Sequence, residues 1–248
     1  MVRGLITRER RGFVKKLVLA SLIVLLSLFL VWQLSKSRSV QLFGDIVNGV
    51  DTTEKVVALT FDDGPMPGKT QSILEILQEH DTKATFFLVG EAVSAHPQET
   101  ALIIKAGHEV GNHSYTHQRM VFKSTAFISD ELKRTDDALR KAGAAGAIHF
   151  RPPYGKKLVV LPYYLWRNDI LSIGWDVEPE TYGQAGNNAT DISQHVINNV
   201  KPGSIVLLHV MFKSREPTMN AVAQIIQGLK TKGYRFLTVS ELLETREN

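Results

Sequence analysis

The 248-residue chain contains no cysteine. Disulfides, cysteine-ligated zinc and thiol catalysis are excluded, while the compartment stays open. There is no internal repeat and no low-complexity segment. Long apolar runs are scarce too: "LVLASLIVLLSLFLVWQL", Leu17 to Leu34, is broken only by two serines and Gln33. A membrane span needs about 20 residues, with a lower limit near 17. A signal-peptide core takes about 7 to 15 and ends at a small-x-small cleavage site. The following "SKSRSVQLFG" offers no such site, so the run reads as an uncleaved anchor rather than a cleaved signal or a buried core helix.

Excess charge is equally scarce outside one place. The first 16 residues hold six basic groups and one acid for +5, the whole chain is +4, and residues 17–248 therefore sum to −1. The basic balance is topogenic and does not point to nucleic acid. The positive-inside rule puts the N-terminal tail in the cytoplasm, Trp32 at the outer interface and the rest outside. The expected organisation is a basic tail (1–16), a transmembrane anchor (17–34), a short polar linker (35–50) and one domain of about 200 residues (51–248).

Within that domain, apolar β-rich runs alternate with amphipathic ones. "KVVALTF", "ATFFLVG", "HEVGNH", "IHFRPP", "ILSIGW", "SIVLLH" and "RFLTV" read as strands. "QSILEILQEHD", "STAFISDELKRTDDALRKAG" and "AVAQIIQGLKTKG" read as helices, the second with a capping Ser or Thr and a terminal Gly143. The alternation predicts an α/β fold with a parallel sheet, open or closed into a barrel. Polar residues crowd the ends of the runs: Asp62 and Asp63, His113, Arg151, Trp175 and Asp176, His209. In a (β/α) barrel that is where an active site is assembled.

Four short stretches carry chemistry. In "ALTFDDGPMPG", Asp62 and Asp63 precede Gly64-Pro65, where a turn lets both carboxylates reach one cavity; an ordinary Asp-Gly turn is the plain alternative. In "GHEVGNHSYTH", His113 and His117 stand four apart, which on a helical turn puts both imidazoles on one face. With Asp62 or Asp63 they complete a two-His-one-carboxylate set that leaves open positions for water and substrate. In "FRPPYG", Arg151 is set by Pro152-Pro153 and has the fork geometry to hold a carboxylate. In "SIVLLHV", His209 ends an apolar run, and its near-neutral pKa suits a general acid.

The order "TFDDGP", "GNHSYTH", "RPPYG", "LLH" resembles the polysaccharide deacetylase family, the NodB-homology or carbohydrate esterase family 4 domain. The resemblance spans about Lys55 to Leu243 and includes the "YRFLTVSELL" ending. It implies a distorted (β/α) barrel and a metal-dependent N-deacetylase of N-acetylated sugars, with Zn²⁺ or else Co²⁺ or another divalent ion. By position it implies Asp63, His113 and His117 as metal ligands, Asp62 as general base and Arg151 as its support. The Tyr154 N–H would stabilise the oxyanion, His209 would protonate the leaving amine, and Leu208 would line the acetyl pocket. Pro152 and Trp175 join the substrate-binding set.

The sequence departs from the family in its fourth motif. Where Asp-Trp is usual, "GWDVEPETYG" reads Thr181-Tyr182; Asp176 or Glu178 are the available substitutes, and Tyr182 offers an aromatic face to a sugar ring. "VMFKS" after "LLH" also differs. His80, His96, His108, His149 and His195 read as structural or surface residues, and Thr190 as a helix cap. The expected substrate is peptidoglycan, with chitin-like oligosaccharides or an exported N-acetylglucosamine polymer as rivals. A non-catalytic carbohydrate-binding relic and a non-haem iron oxygenase are the readings from other classes. No protein partner is inferable beyond the membrane.

Overall fold

The computed structural model describes residues 2–179 and 188–246, the side chains of 2–11 excepted. The N-terminal helix α1 (Val2–Lys36) contains Gly12–Lys36, long and apolar enough to cross a membrane, with an 18-residue window of mean hydropathy 2.6 that is nowhere buried. Length and composition fit a membrane span and a signal sequence alike. Segment 35–50, read as a linker, is built into the domain. It carries strand β1 (Ile46–Val47), and Ser35 and Val47 are buried.

The strands are β2 (Val56–Asp62), β3 (Thr85–Leu88), β4 (Glu109–Asn112), β5 (Ser172–Ile173), β6 (Ser204–His209) and β7 (Arg235–Leu237). Between and after them run α2 (Lys69–Glu79), α3 (Gly90–Ala95), α4 (Pro97–Lys105), α5 (Thr125–Lys141), α6 (Val160–Arg167), α7 (Ala189–Asn199), α8 (Glu216–Thr231) and α9 (Val239–Glu244). Among the described residues all strand ladders are parallel, with one isolated antiparallel bridge from Gly49 to Ser204. β6 pairs along one edge of β2, while β7 and β3 share the other, at Val56–Ala58 and Thr60–Asp62. β3 continues to β4. Isolated bridges carry the sheet onward: Asn112 to Phe150, Phe150 to Ser172, and Val177 to Val206 on β6. The circuit closes, and its one-residue contacts make it a distorted barrel.

Strand periodicity decides what faces the middle, because successive side chains point to opposite faces. Val57, Leu59 and Phe61 pack outward against Ile73, Leu77 and Ile225 of the covering helices. Val56 and Ala58 belong to the inner cluster with Ile205, Leu207 and Trp175. Thr60 and Asp62 follow the inner register. A third cluster joins α5 to α6 through Ile128, Leu132, Leu161 and Leu165.

Three expected strands shrink, and "ILSIGW" keeps only the two residues of β5. "IHFRPP" contributes only the bridge at Phe150, because two prolines end it at once, and "RFLTV" gives way to α9 at Thr238, whose hydroxyl caps the helix through the Glu241 N–H. Asn188, not Thr190, caps α7, its side chain accepting from the Asp191 N–H.

Candidate active site

A cavity of about 670 Å³ opens at the C-terminal ends of the strands. Asp62, Asp63, His113, His117, Tyr154, Trp175 and His209 all line it. Asp62 enters by the inward register of β2. Asp63 follows only because the backbone turns left-handed there, at φ 74°, and Gly64 continues at φ 70°. A Cβ on Gly64 would lie 2.7 Å from Met211 Cγ, so glycine is required for both conformation and space.

The two histidines do not lie on a helical turn, as their spacing led us to expect. They flank an irregular loop in which Ser114 and His117 both take positive φ, 63° and 54°. Buried Glu131 of α5 holds that loop, accepting from the Tyr115 N–H (3.0 Å), the Thr116 N–H (2.8 Å) and the Thr116 hydroxyl (2.8 Å). Asn112 adds a bond to the Ser114 N–H and ties back to α5 through Leu132 O and Asp136. Nothing local in the sequence marks Glu131, which reads there as one more polar residue of an amphipathic helix. Non-glycine residues in left-handed conformations cluster at functional sites, where the surroundings impose them.

The result is a tight donor set. One ligand atom each from Asp63, His113 and His117 lie within 4.8 Å of one another. His117 Nε2 is 3.3 Å and His113 Nε2 3.9 Å from Asp63 Oδ1. His113 Nδ1 sits 2.8 Å from Arg151 O, which selects the tautomer that donates from Nδ1 and leaves Nε2 toward both carboxylates, 3.6 Å from Asp62 Oδ2 and 3.9 Å from Asp63 Oδ1. Burial, reinforced by neighbouring His113, lowers the pKa of His117 against the opposing pull of Asp63 and Asp62. Neutral imidazoles beside a carboxylate are the donor chemistry of a divalent cation.

Arg151 is fully buried. Its Nη1 donates to Asp62 Oδ1 at 2.6 Å and to Thr60 Oγ1 at 2.8 Å, and its Nη2 to Gly174 O at 3.0 Å. Its guanidinium lies 4.0 Å from the Phe87 ring centroid. Burial alone would raise the pKa of Asp62, but Arg151, His113 and His209 together bring it below the usual carboxylate value. Asp62 is thus ionised at neutral pH, with one oxygen on Arg151 and the other 3.6 Å from His113 Nε2.

Tyr154 adopts φ 58° and lays its ring 4.8 Å from that of His117. Trp175 Nε1 donates to Glu178 Oε2 at 2.9 Å. Of the two carboxylates offered in place of the family's Asp, Glu178 lines the cavity. Asp176 is turned away, accepting from Ser204 Oγ and the Ile205 N–H at the other end of β6. Two expected residues do not reach the cavity. Leu208 points into the outer core with Val206, and the strand's alternation sets Leu207 on the cavity wall instead. Pro152 is buried beneath the loop it shapes. Tyr182 and Thr181 lie outside the described residues.

Residues 49–166 match the family model described as polysaccharide deacetylase. A peptidoglycan-N-acetylglucosamine deacetylase of Bacillus cereus is 34% identical over 203 residues, covering 78% of this chain and 91% of that protein. The peptidoglycan-N-acetylmuramic acid deacetylase PdaC of Bacillus subtilis is also 34% identical, over 80% of this chain but 41% of its own length. Among solved structures, the Bc1960 peptidoglycan N-acetylglucosamine deacetylase superposes with TM-score 0.75 at 30% identity, covering 82% of this chain and 94% of that one. A family 4 pseudoenzyme from Bacillus anthracis superposes at 0.73 with 31% identity, covering 84% and 72%. Four motifs in family order, a closed parallel barrel and these relatives agree: the chain belongs to the polysaccharide deacetylase family.

Proposed function

We propose that the protein is a membrane-anchored, outward-facing, metal-dependent hydrolase that removes N-acetyl groups from peptidoglycan. The carrying observation is the division of labour in the aspartate pair. Asp63 shares a donor set with His113 and His117, while Asp62 lines the same cavity with one oxygen on Arg151 and the other 3.6 Å from His113 Nε2. A simple carbohydrate-binding relic has no use for a buried cation that keeps a carboxylate ionised.

The three ligand atoms fit a divalent ion, with Zn²⁺ the first choice for an Asp and two His. When bound it would lower the pKa of water toward neutrality and polarise the amide carbonyl. The chain's own residues divide the remaining work. Asp62, ionised, accepts the proton of the attacking water. Arg151 fixes the direction of that carboxylate. The Tyr154 N–H stabilises the negative charge on the former carbonyl oxygen. His209 donates a proton to the departing amine. Leu207 and Trp175 supply apolar wall against the acetyl group and sugar. The similarity to peptidoglycan deacetylases supports that polymer over chitin-like oligosaccharides. The basic tail (1–16), the apolar run (17–34) and the absence of a cleavage site support retention of the helix and an extracytoplasmic domain (51–248).

The test is acetate release. The chain is stripped with a chelator, reloaded with Zn²⁺ or Co²⁺, and offered peptidoglycan and N-acetylglucosamine oligomers side by side. Metal-dependent release, abolished by Asp62→Asn and Asp63→Ala, is the expected result. No release from either glycan by the metal-loaded chain overturns it.

A further inference from the structure

The end of the apolar helix is clamped to the rim of the active site. The Lys157 N–H donates to Ser35 O at 3.3 Å, and its buried ammonium donates to Ser37 O. Arg38 Nη2 pairs with Glu178 Oε2 at 2.6 Å, and Glu178 is itself a cavity residue. Lys36, the last residue of α1, and Lys156, two residues beyond Tyr154, also line the cavity. Both face Trp32, their Nζ atoms 4.7 and 5.7 Å from its ring centroid. The mouth of the site therefore opens where the apolar helix ends.

Beside this clamp lies a patch that the fold leaves uncovered. Phe43, Tyr163 and Trp166 form one aromatic cluster, with ring centroids 5.3, 6.2 and 6.1 Å apart. Their exposures are nevertheless 36%, 45% and 51%. Phe43 follows Ser37 by six positions, and Tyr163 follows Lys157 by six, so both halves of the cluster are tethered close to the helix end. Arg167 stacks on Trp166 at 6.0 Å. Exposed Trp and Tyr with Lys and Arg around them match the headgroup layer of a bilayer, where amphipathic rings and cations both find partners.

We infer that the domain lies against the outer leaflet on the Phe43–Tyr163–Trp166 patch, which holds the active-site mouth at headgroup level and directs it to glycan carried on membrane lipid. The inference rests on the proposed retention of the helix and on the deacetylase reading. Docking by a second contact restrains the orientation that the anchor alone leaves free, and so raises the effective concentration of a surface-bound amide at the site.

The absence of cysteine makes the test direct. Tyr163→Cys, in the full chain reconstituted into phosphatidylglycerol–phosphatidylethanolamine vesicles, takes a single nitroxide. Lys141→Cys, at the end of α5 remote from the mouth, is the control. The label at 163 is expected to collide with oxygen at headgroup depth and the label at 141 with an aqueous nickel chelate. Equal aqueous exposure at both overturns the docking. In the same vesicles, an N-acetylglucosamine oligomer linked to a lipid phosphate is expected to be deacetylated at least about fivefold faster than the free oligomer. The Tyr163→Ser/Trp166→Ser variant, still anchored, loses that advantage but keeps its rate on the free oligomer. Equal wild-type rates on the two substrates overturn the placement of the mouth. A label at headgroup depth with no turnover of either substrate upholds docking and counts instead against the deacetylase reading.

Discussion

Arg151 Nη1 lies 2.6 Å from Asp62 Oδ1, and the two side chains are 0% and 4% exposed. The pair is sealed inside the barrel, and the remaining guanidinium hydrogen bonds go to the barrel wall at Thr60 Oγ1, Gly174 O and Ile173 O. A buried charge that loses its partner is left without water to replace it. Arg151→Met is therefore expected to cost about 3–5 kcal/mol in stability. It should also raise the pKa of Asp62, so that activity falls at neutral pH and recovers as pH rises. Denaturant midpoints and a pH–rate profile check both. A pH profile shaped like the wild type's would count against Arg151 as the group that keeps Asp62 ionised.

Glu131 touches no ligand atom, yet it fixes the loop that carries both histidines. Glu131→Ala is expected to weaken metal affinity by about 10–100-fold, the usual effect of removing an outer support. Glu131→Gln keeps an oxygen for the two backbone N–H groups and should lose far less. Competition titration with a chromophoric chelator measures the order. Equal affinities in the two variants would assign the loop's shape to Asn112 alone.

Gly64 turns the chain so that Asp63 reaches the histidines. Gly64→Ala meets both a positive φ and Met211, and is expected to cost about 1–3 kcal/mol. Activity should drop more than stability does, because the strain is relieved by moving Asp63. Metal content after dialysis, read beside the thermal midpoint, separates the two effects.

His108 supplies a pH-dependent term away from the site. Its Nδ1 accepts the Ala84 N–H at 3.3 Å, and burial with the nearby Lys83 charge lowers its pKa to about 4. The unfolded chain takes up this proton near pH 6.5, the folded one only near 4. Stability is therefore full above about 6.5 and declines as pH falls to about 4, by up to about 3 kcal/mol. His108→Asn, which keeps an acceptor but cannot titrate, should flatten this part of the curve. Urea midpoints at the two ends of the window are the measurement.

Much of the site was legible in the chain. Asp62, Asp63, His113, His117, Arg151 and His209 stand at the ends of apolar runs, and that position alone predicts a shared face in a parallel α/β fold. The apolar helix and its basic flank were equally plain, because a run of that length and hydropathy stands out from composition alone. Other features could not be read locally. The Leu207–Leu208 assignment turned on which face of β6 meets the barrel interior, and either residue satisfies an apolar run. The support from Glu131 depended on where α5 packs. The built-in segment 35–50 depended on a strand pairing between Ile46–Val47 and Ser172–Ile173, more than a hundred residues apart. Sequence determined which chemical groups are present and at which strand ends they stand, since those follow from residue type and periodicity. Tertiary structure decided which groups face one another and which are denied water, because burial and long-range pairing belong to the packed chain and to no single stretch of it.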